Sequence, residues 1–279
     1  MHRAKQTKHK DIREKQNRSI PVVILCGGKG TRLKEETESV PKPLVRIGNY
    51  PMLWHIMKIY SFYGFNHFIL LVGYKGEKIK EYFINRNILN ADFTADFTNQ
   101  SGKITRHSST KEPWKVTVID TGLDTQTGAR IKRIESYIKG STFFLTYGDG
   151  VSNINIKSLL DFHKKHSYLA TVTGVHPPAR FGEIVLNGIT ATNFNEKPYI
   201  QSTYINGGFF VLNKEIFSYL DDDEKLNFEK DVLPKVAKNG ELAVFCHEGY
   251  WQCMDTRRDM EILDSEWEAG KAQWKIWET

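Results

Sequence analysis

An apolar run leads directly into a glycine-rich loop in the stretch Pro21-Val22-Val23-Ile24-Leu25-Cys26-Gly27-Gly28-Lys29-Gly30-Thr31-Arg32-Leu33. The residues from Pro21 to Leu25 predict a strand that is covered on both faces, because no polar residue alternates with the apolar ones. The three glycines that follow carry no Cβ, so backbone amides of the loop can approach a ligand closely. We therefore expect a buried strand of a parallel sheet that ends in an anion-binding loop.

Other short apolar runs repeat this pattern farther along the chain. Phe68 to Val72, Val116 to Ile119 and Thr142 to Tyr147 are predicted to be strands. Between the first two strands of the chain, apolar residues recur at helical spacing from Met52 to Tyr63, and Gly64 ends the pattern. The alternation predicts an α/β fold with a Rossmann-like, mixed and mainly parallel sheet that carries helices on both faces.

The second half of the chain mixes the two periodicities. A helix near Ile156 to His166 and a strand from Leu169 to Val175 continue the alternation. Three later strands have an antiparallel character, namely Glu183 to Leu186, Gly208 to Leu212 and Leu242 to Cys246. The pattern predicts inserted antiparallel hairpins within a single domain over residues 21–279, and we expect this region to contact a second substrate.

Positive charge is concentrated at the start of the chain. Residues 1–20 contain seven Lys or Arg and two Asp or Glu, so that only +1 of the formal charge of +6 belongs to the rest. A basic tail with few apolar residues is typical of a solvated extension, with an oligomer-contacting or anion-binding arm as the alternative. The small remaining charge disfavours a nucleic-acid-binding function.

The sequence lacks the features of a secreted or membrane protein. No apolar stretch follows Met1, so the start of the chain is not typical of a signal peptide. The apolar runs are too short to cross a bilayer, and three cysteines without a CxxC pair favour free thiols. We therefore predict a cytoplasmic protein.

Two basic residues follow the glycine-rich loop closely enough to act with it. Arg32 can form two parallel hydrogen bonds to a phosphate group and can offset the charge that develops there. Lys42 lies between Pro41 and Pro43, which stiffen the backbone on both sides of it. The loop matches neither the GxGxxG pattern nor the GK[ST] ending of a Walker loop. Together these residues predict a site for a nucleoside triphosphate.

Two isolated aspartates can complete such a site. Asp149 follows the strand Thr142 to Tyr147 between two glycines, which leave its carboxylate accessible at the sheet edge where ligands gather. Asp255 lies far along the chain, where the cap of a helix N-terminus is an equally sound interpretation. Magnesium prefers oxygen ligands and usually takes one or two carboxylates together with phosphate oxygens. We predict that Asp149 and Asp255 are ligands of Mg²⁺.

Two motifs in the second half of the chain could hold an acceptor. In Glu196-Lys197-Pro198 the lysine can contact a phosphate, and Glu196 can accept hydrogen bonds from sugar hydroxyls. In Asn206-Gly207-Gly208 the asparagine can also bind a hydroxyl. Taken alone, a Glu-Lys pair is commonly solvated surface and Asn-Gly-Gly is commonly a turn. The two motifs therefore indicate an acceptor site only in combination with the other motifs.

These motifs, in this order, resemble those of the sugar-phosphate nucleotidyltransferase family over nearly all of residues 21–277. The matching segments are Gly27-Gly28-x-Gly30-Thr31-Arg32-Leu33, Pro41-Lys42-Pro43, Gly148-Asp149, Glu196-Lys197-Pro198 and Asn206-Gly207-Gly208. Within the family the chain most resembles the members that use CTP and glucose 1-phosphate. The segments that carry this closer resemblance include Asp120-Thr121-Gly122, Thr127-Gly128-Ala129-Arg130, Arg180-Phe181-Gly182 and Trp251-Gln252-Cys253-Met254-Asp255-Thr256.

The resemblance implies a fold, substrates and roles for individual residues. It implies the nucleotide-diphospho-sugar transferase fold, Mg²⁺ as the cofactor, and a homo-oligomer, for which a hexamer is one arrangement. The residues that it assigns to the nucleotide are Leu25, Cys26, Gly27, Gly28, Gly30, Thr31, Thr125, Thr127, Arg130 and Gly148. Those that it assigns to the acceptor are Gly182, Glu196, Asn206, Gly207 and Trp251. The expected catalytic cations are Arg32, Lys42 and Lys197.

The expected reaction is an in-line attack of a sugar 1-phosphate oxygen on the α-phosphorus of CTP, with pyrophosphate as the leaving group. The sequence leaves open the same chemistry with dTTP or UTP, or with another phosphorylated acceptor. A glycosyltransferase is disfavoured because Gly148-Asp149-Gly150 lacks the DxD pair expected at the strand end. A non-catalytic sugar-nucleotide sensor is disfavoured because Arg32, Lys42, Asp149 and Asp255 are all present.

Overall fold

The computed structural model describes residues 20–89, 91–98, 102–107, 112–177, 183–195 and 203–277. The predicted basic tail lies outside these residues except for Ile20, so the division into a tail and one domain stays a prediction. Within the described part of the chain, no helix combines the length and the apolar character needed to span a bilayer.

The strands of the described residues are numbered in chain order. They are β1 (Val22–Cys26), β2 (Arg46–Ile47), β3 (Tyr50–Pro51), β4 (His67–Val72), β5 (Phe93–Asp96), β6 (Lys103–Arg106), β7 (Lys115–Asp120), β8 (Thr142–Tyr147), β9 (Gly150–Ser152), β10 (Ala170–Val175), β11 (Glu183–Asn187), β12 (Thr190–Asn195), β13 (Ile205–Asn213), β14 (Leu242–His247) and β15 (Trp251–Cys253).

The helices connect and cover these strands. The α-helices are α1 (Lys34–Thr37), α2 (Met52–Phe62), α3 (Gly76–Leu89), α4 (Thr127–Lys132), α5 (Ile156–His163), α6 (Leu233–Lys238) and α7 (Arg257–Glu268). Short 3-10 helices occur at Thr31–Leu33, Lys42–Leu44, Glu135–Tyr137 and Lys214–Tyr219. A π-helix at Phe228–Val232 leads directly into α6.

Seven strands form the central sheet, in the order β14-β10-β13-β8-β1-β4-β7. The strand β13 is antiparallel to both of its neighbours, whereas the other pairs of adjacent strands are parallel. The predicted mixed, mainly parallel sheet is therefore confirmed. Strands β11 and β12 form a separate antiparallel hairpin, as expected for an insertion.

One strand runs in a direction that was not expected. The segment Leu242 to Cys246 was predicted to be antiparallel, but β14 is parallel to β10. That prediction is wrong because residue periodicity records which side chains are buried and carries no information on the direction of a strand. The helical segment from Phe228 to Lys238 connects β13 to β14 and reverses the direction of the chain.

The core lies on both faces of the sheet. Every side chain of β1 is buried, and successive residues point to opposite faces because the side-chain period of a strand is two. Val22, Ile24 and Cys26 pack into one apolar cluster, which includes the buried side of α2. Val23 and Leu25 pack into the other cluster, which includes Ile131 of α4. The uninterrupted apolar run in the sequence follows from this double coverage.

A buried histidine on α2 makes the stability of the fold sensitive to acid. His55 accepts a hydrogen bond at Nδ1 from Trp274 Nε1 (3.3 Å), so its protonated Nε2 donates to the Ile47 carbonyl (3.0 Å). Burial lowers the pKa of His55 from 6.5 to about 4. The unfolded chain therefore takes up a proton before the folded one does. The stabilisation is complete above pH 6.5, and about 3 kcal/mol of it is lost as the pH falls from 6.5 to 4.

A glutamine at this position should remove this part of the pH dependence. His55→Gln keeps an N–H group for Ile47 but does not titrate, so we expect its free energy of unfolding to fall by roughly 2 to 3 kcal/mol less than the wild type's between pH 7 and pH 4.5. Urea unfolding at both pH values measures the difference. His107→Gln is the matched control, because it replaces an exposed histidine instead of a buried one. Equal acid losses in His55→Gln and the wild type would contradict the prediction.

Candidate active site

The carboxyl ends of the central parallel strands bring distant segments to one edge of the sheet. Strand β1 is parallel to β8, and Leu25 is in register with Tyr147. The glycine-rich loop and the Gly148-Asp149 turn therefore begin side by side. Because β13 is antiparallel to β8, its amino end, with Asn206, reaches the same edge. Ligands of open α/β sheets commonly bind at such an edge.

Both predicted metal carboxylates lie at this edge and share one ammonium group. Lys42 Nζ lies 2.6 Å from Asp149 Oδ2 and 2.7 Å from Asp255 Oδ1. Arg32 Nη1 lies 2.7 Å from Asp255 Oδ2. The side chains of Lys42, Asp255 and Asp149 are 12%, 17% and 29% exposed, so that the pairs are shielded but still open to the cavity. The structure thus brings together four side chains whose first and last members, Arg32 and Asp255, lie 223 residues apart in the sequence.

Strand pairing holds Asp255 in position. Strands β9 and β15 form a two-stranded antiparallel sheet in which Cys253 is in register with Gly150. The Met254 amide donates to the Asp149 carbonyl (2.8 Å), which fixes the two aspartate-bearing turns to each other. The alternative that Asp255 caps a helix is wrong, because the N-cap of α7 is Thr256.

The two prolines determine where the Lys42 ammonium lies. Pro41 has φ −66°, and Lys42 and Pro43 begin a 3-10 helix. Burial by itself lowers the pKa of Lys42, but the adjacent carboxylates, first of all Asp149, outweigh that effect and raise the pKa above its usual value. The ammonium therefore stays charged and forms an ion pair with each of the two aspartates.

The donor set fits a magnesium ion that is held partly by substrate. Asp149 and Asp255 offer carboxylate oxygens that face the same cavity. Among the described residues, no group of three or more His, Cys, Asp or Glu side chains is placed to hold a metal ion. Magnesium usually binds through one or two carboxylates and completes its shell with water and phosphate oxygens. Two carboxylates beside the glycine-rich loop match that requirement, whereas they would not form a closed structural metal site.

A cavity of about 500 Å³ joins these groups to the glycine-rich loop. Its lining residues are Leu25, Cys26, Gly28, Gly30, Thr31, Arg32, Lys42, Pro43, Thr127, Tyr147, Gly148, Asp149, Glu229, Trp251, Cys253 and Asp255. Gly148 has no room for a side chain, since a Cβ would lie 2.7 Å from the Leu25 carbonyl. Gly30 adopts φ +61°, a left-handed conformation that favours glycine. The loop glycines thus have a conformational reason as well as a proposed binding role.

A second cavity, of about 340 Å³, adjoins the other side of the glycine-rich loop. Its lining includes Gly27, Thr125, Thr127 and Arg130, all of which the resemblance assigns to the nucleotide. The Thr125 hydroxyl accepts a hydrogen bond from Arg133 Nη1 (2.9 Å). A ring-sized ligand bound here would contact the loop and the start of α4 at the same time.

The Arg130 guanidinium is largely engaged within the protein. It is 4% exposed and donates to the carbonyls of Val72, Gly122, Gly27 and Leu123 and to the hydroxyl of Thr121. Burial lowers its pKa. A Cβ on Gly27 would lie 2.4 Å from the guanidinium, which explains glycine at that position. Arg130 therefore stabilises the glycine-rich loop through its hydrogen bond to the Gly27 carbonyl. Its predicted contact with the nucleotide stays a prediction.

The residues assigned to the acceptor have different positions. Trp251 lines the first cavity, and its Nε1 donates to the Gly207 carbonyl (2.7 Å). Asn206 Nδ2 donates to the Tyr147 hydroxyl (2.9 Å), which places it beside that cavity. Three further predicted residues, Gly182, Glu196 and Lys197, lie outside the described residues.

Sequence reasoning assigned no binding role to four of the cavity residues, namely Pro43, Tyr147, Glu229 and Cys253. Tyr147 immediately precedes Gly148-Asp149, so the motif itself pointed to it. Glu229 lies on the π-helix Phe228–Val232 and reaches the cavity only through the packing of that helix against α4. No local pattern distinguishes it from the other acidic residues of the segment.

Comparison with known proteins agrees with this arrangement. Residues 21–260 match the family described as nucleotidyl transferase. The glucose-1-phosphate cytidylyltransferase of Salmonella typhimurium is 48% identical over 260 residues, which cover 93% of this chain and 100% of that protein. A probable glucose-1-phosphate cytidylyltransferase of Bacillus subtilis is 46% identical over 258 residues, which cover 92% and 100%.

A solved structure is also similar in fold. The crystal structure of HddC from Yersinia pseudotuberculosis is 25% identical, with a TM-score of 0.65, and the match covers 89% of this chain and 99% of that one. The family match spans the glycine-rich loop, Lys42 and Lys197, and both aspartates. The family model matches residues 21–260, and the two cytidylyltransferases align with this chain over their whole length. The chain therefore belongs to the nucleotidyl transferase family.

Proposed function

We propose that the protein transfers the cytidylyl group of CTP to glucose 1-phosphate and thereby forms CDP-glucose and pyrophosphate. The observation that carries this proposal is the convergence of the glycine-rich loop, Arg32, Lys42, Asp149 and Asp255 on one cavity. The choice of CTP and glucose 1-phosphate is supported by the relatives of 46% and 48% identity that carry this activity in their names.

The residues of the cavity are proposed to have different roles in the reaction. The loop amides and Arg32 bind the triphosphate, and Lys42 offsets charge as the bond to pyrophosphate breaks. The attacking oxygen belongs to a phosphate that is already anionic, so the reaction needs no general base. The main catalytic effects are therefore positioning and electrostatic stabilisation.

Asp149 and Asp255 would hold the magnesium ion. When bound, that ion supplies positive charge to phosphate oxygens and reduces the repulsion between two anionic substrates. Lys197, from its match to the family motif, is proposed to bind the phosphate of the acceptor, and Glu196 and Asn206 its sugar. The active form is proposed to be a homo-oligomer.

A pyrophosphate-release assay tests the proposed function. CTP, UTP, dTTP and ATP are each combined with glucose 1-phosphate, mannose 1-phosphate and galactose 1-phosphate in the presence of Mg²⁺. We expect the highest kcat/KM for CTP with glucose 1-phosphate. Release of pyrophosphate with no pair would reject the nucleotidyltransferase activity, whereas a higher kcat/KM for another pair would correct the substrates only.

A further inference from the structure

Glu229 is an acidic side chain in the catalytic cavity that the proposed mechanism does not use. Both of its carboxylate oxygens face hydroxyl groups. Thr127 Oγ1 donates to Glu229 Oε2 (2.6 Å), and the Tyr147 hydroxyl donates to Glu229 Oε1 (2.8 Å). Asn206 Nδ2 in turn donates to the Tyr147 hydroxyl (2.9 Å). A continuous network thus joins a residue assigned to the nucleotide with one assigned to the acceptor.

The electrostatic surroundings of Glu229 differ from those of the other two acids in the cavity. Asp149 and Asp255 are paired with Lys42 or Arg32, whereas no described basic side chain forms an ion pair with Glu229. An unneutralised carboxylate repels phosphate groups. It stabilises a ligand in this cavity only where that ligand presents a hydrogen-bond donor.

The backbone of the segment directs Glu229 into the cavity. Phe228–Val232 forms a π-helix, a rare conformation that is frequent at functional sites. The Phe228 amide donates to Thr127 Oγ1 (2.9 Å), and the Lys230 amide donates to Asn227 Oδ1 (2.8 Å). These bonds on both sides of Glu229 restrict its position relative to α4.

The neighbours of the carboxylate identify the part of the ligand that it faces. Trp251 borders the same cavity, and its indole is held by the Gly207 carbonyl (2.7 Å). Gly208 adopts φ +78°, and a Cβ there would lie 2.4 Å from Tyr147 Cδ2, so the glycine lets the Tyr147 ring pack against β13. A carboxylate, a phenol, an amide and an indole ring together supply the polar and apolar contacts that a hexose requires. Each Glu229 oxygen keeps a further lone pair for a hydroxyl donor.

We propose that Glu229, held by Tyr147 and Thr127, accepts a hydrogen bond from a hydroxyl group of the acceptor sugar and thereby helps to select that sugar. This inference rests on the proposed function, because it names the acceptor as a sugar 1-phosphate. It adds a specificity-determining residue to the cavity that Asp149 and Asp255 also line.

The test combines one variant with a series of deoxy sugars. Values of kcat/KM for the wild type and for Glu229→Gln are measured with CTP and glucose 1-phosphate, and with its 2-, 3-, 4- and 6-deoxy analogues. The variant is expected to lose roughly 10- to 100-fold with glucose 1-phosphate, the cost of a hydrogen bond to a charged group. With the analogue that lacks the bound hydroxyl, variant and wild type should agree within about threefold, because the same bond is already absent.

Control variants separate recognition from folding. Tyr147→Phe removes the hydroxyl that positions Glu229 and should reduce the same discrimination without affecting Thr127. Glu268→Gln removes an equal charge from the exposed end of α7 and should match the wild type with every sugar. Thermal unfolding of each variant shows whether the fold is retained. If Glu229→Gln does not fold, Tyr147→Phe and the wild-type deoxy series decide the proposal.

Three outcomes would overturn the inference. An equal loss with all five sugars would mean that Glu229 has only a structural role. If Glu229→Gln instead no longer discriminated between CTP and 2′-deoxy-CTP, the bound hydroxyl would belong to the ribose of the nucleotide. A wild type that responds to none of the sugar deoxygenations would also reject it. By contrast, a wild type that is inactive with all nucleotides and sugars would reject the proposed function together with the inference.

Discussion

The Asp149→Asn variant is expected to lose about a thousandfold or more in kcat/KM for pyrophosphate release while it keeps its fold. The substitution preserves the shape of the side chain but removes the charge that is proposed to bind the metal ion. It also weakens the 2.6 Å ion pair with Lys42. The backbone bond from Met254 to the Asp149 carbonyl does not depend on the side chain, so the two aspartate-bearing turns should stay together.

Two measurements check this expectation. The Mg²⁺ dependence of pyrophosphate release should shift to higher metal concentration in Asp149→Asn, and circular dichroism should match the wild type. Asp161→Asn is the matched control, because Asp161 is an exposed aspartate on α5, away from the cavity. A folded Asp149→Asn protein with wild-type turnover would reject the assignment of the metal site.

The Lys42→Met variant is expected to lose both activity and metal-free stability. The substitution keeps most of the side-chain volume but removes the ammonium that joins Asp149 Oδ2 to Asp255 Oδ1. Two shielded carboxylates then lie close together without the ammonium between them, while Arg32 stays beside Asp255. We expect the midpoint of thermal unfolding to fall by roughly 5 °C without metal, and kcat/KM to fall by about a hundredfold because charge on the phosphates is no longer offset.

Added Mg²⁺ should separate these two effects. A divalent cation can neutralise the carboxylates in place of the ammonium, so millimolar Mg²⁺ should raise the unfolding midpoint of Lys42→Met more than that of the wild type. Turnover should stay low, because the metal does not replace the lysine at the phosphates. Lys157→Met, at an exposed position of α5, is the control. A variant with the wild-type response to Mg²⁺ would show that Lys42 does not neutralise the two aspartates.

Much of the fold was predictable from local sequence. The strands β1, β4, β7 and β8 were all anticipated within one residue at either end, because short runs rich in apolar and β-branched residues mark them in the sequence. The crossover helix α2 was also expected, since its buried residues recur at helical spacing. Helix ends were less predictable: α5 ends at His163, before the expected His166.

The residues that form the candidate site were harder to predict from the sequence than the strands were. The loop, Lys42 and Asp149 each carry a glycine or proline signature that marks them locally. Glu229 carries none, and it reaches the cavity only through the contact of its π-helix with α4. The role of Arg130 was equally hidden, because most of its partners are backbone carbonyls from three separate segments, around Gly27, Val72 and Gly122.

Residue order alone specified the alternation of strands and helices, the glycine-rich loop and the identities of the charged groups, because each depends on side chains close together in the chain. Only folding decided that Asp149 and Asp255 share the Lys42 ammonium, that β14 is parallel to β10 and that Glu229 faces Tyr147. Those relationships join segments up to 213 residues apart, and their geometry depends on how strands pair and helices pack.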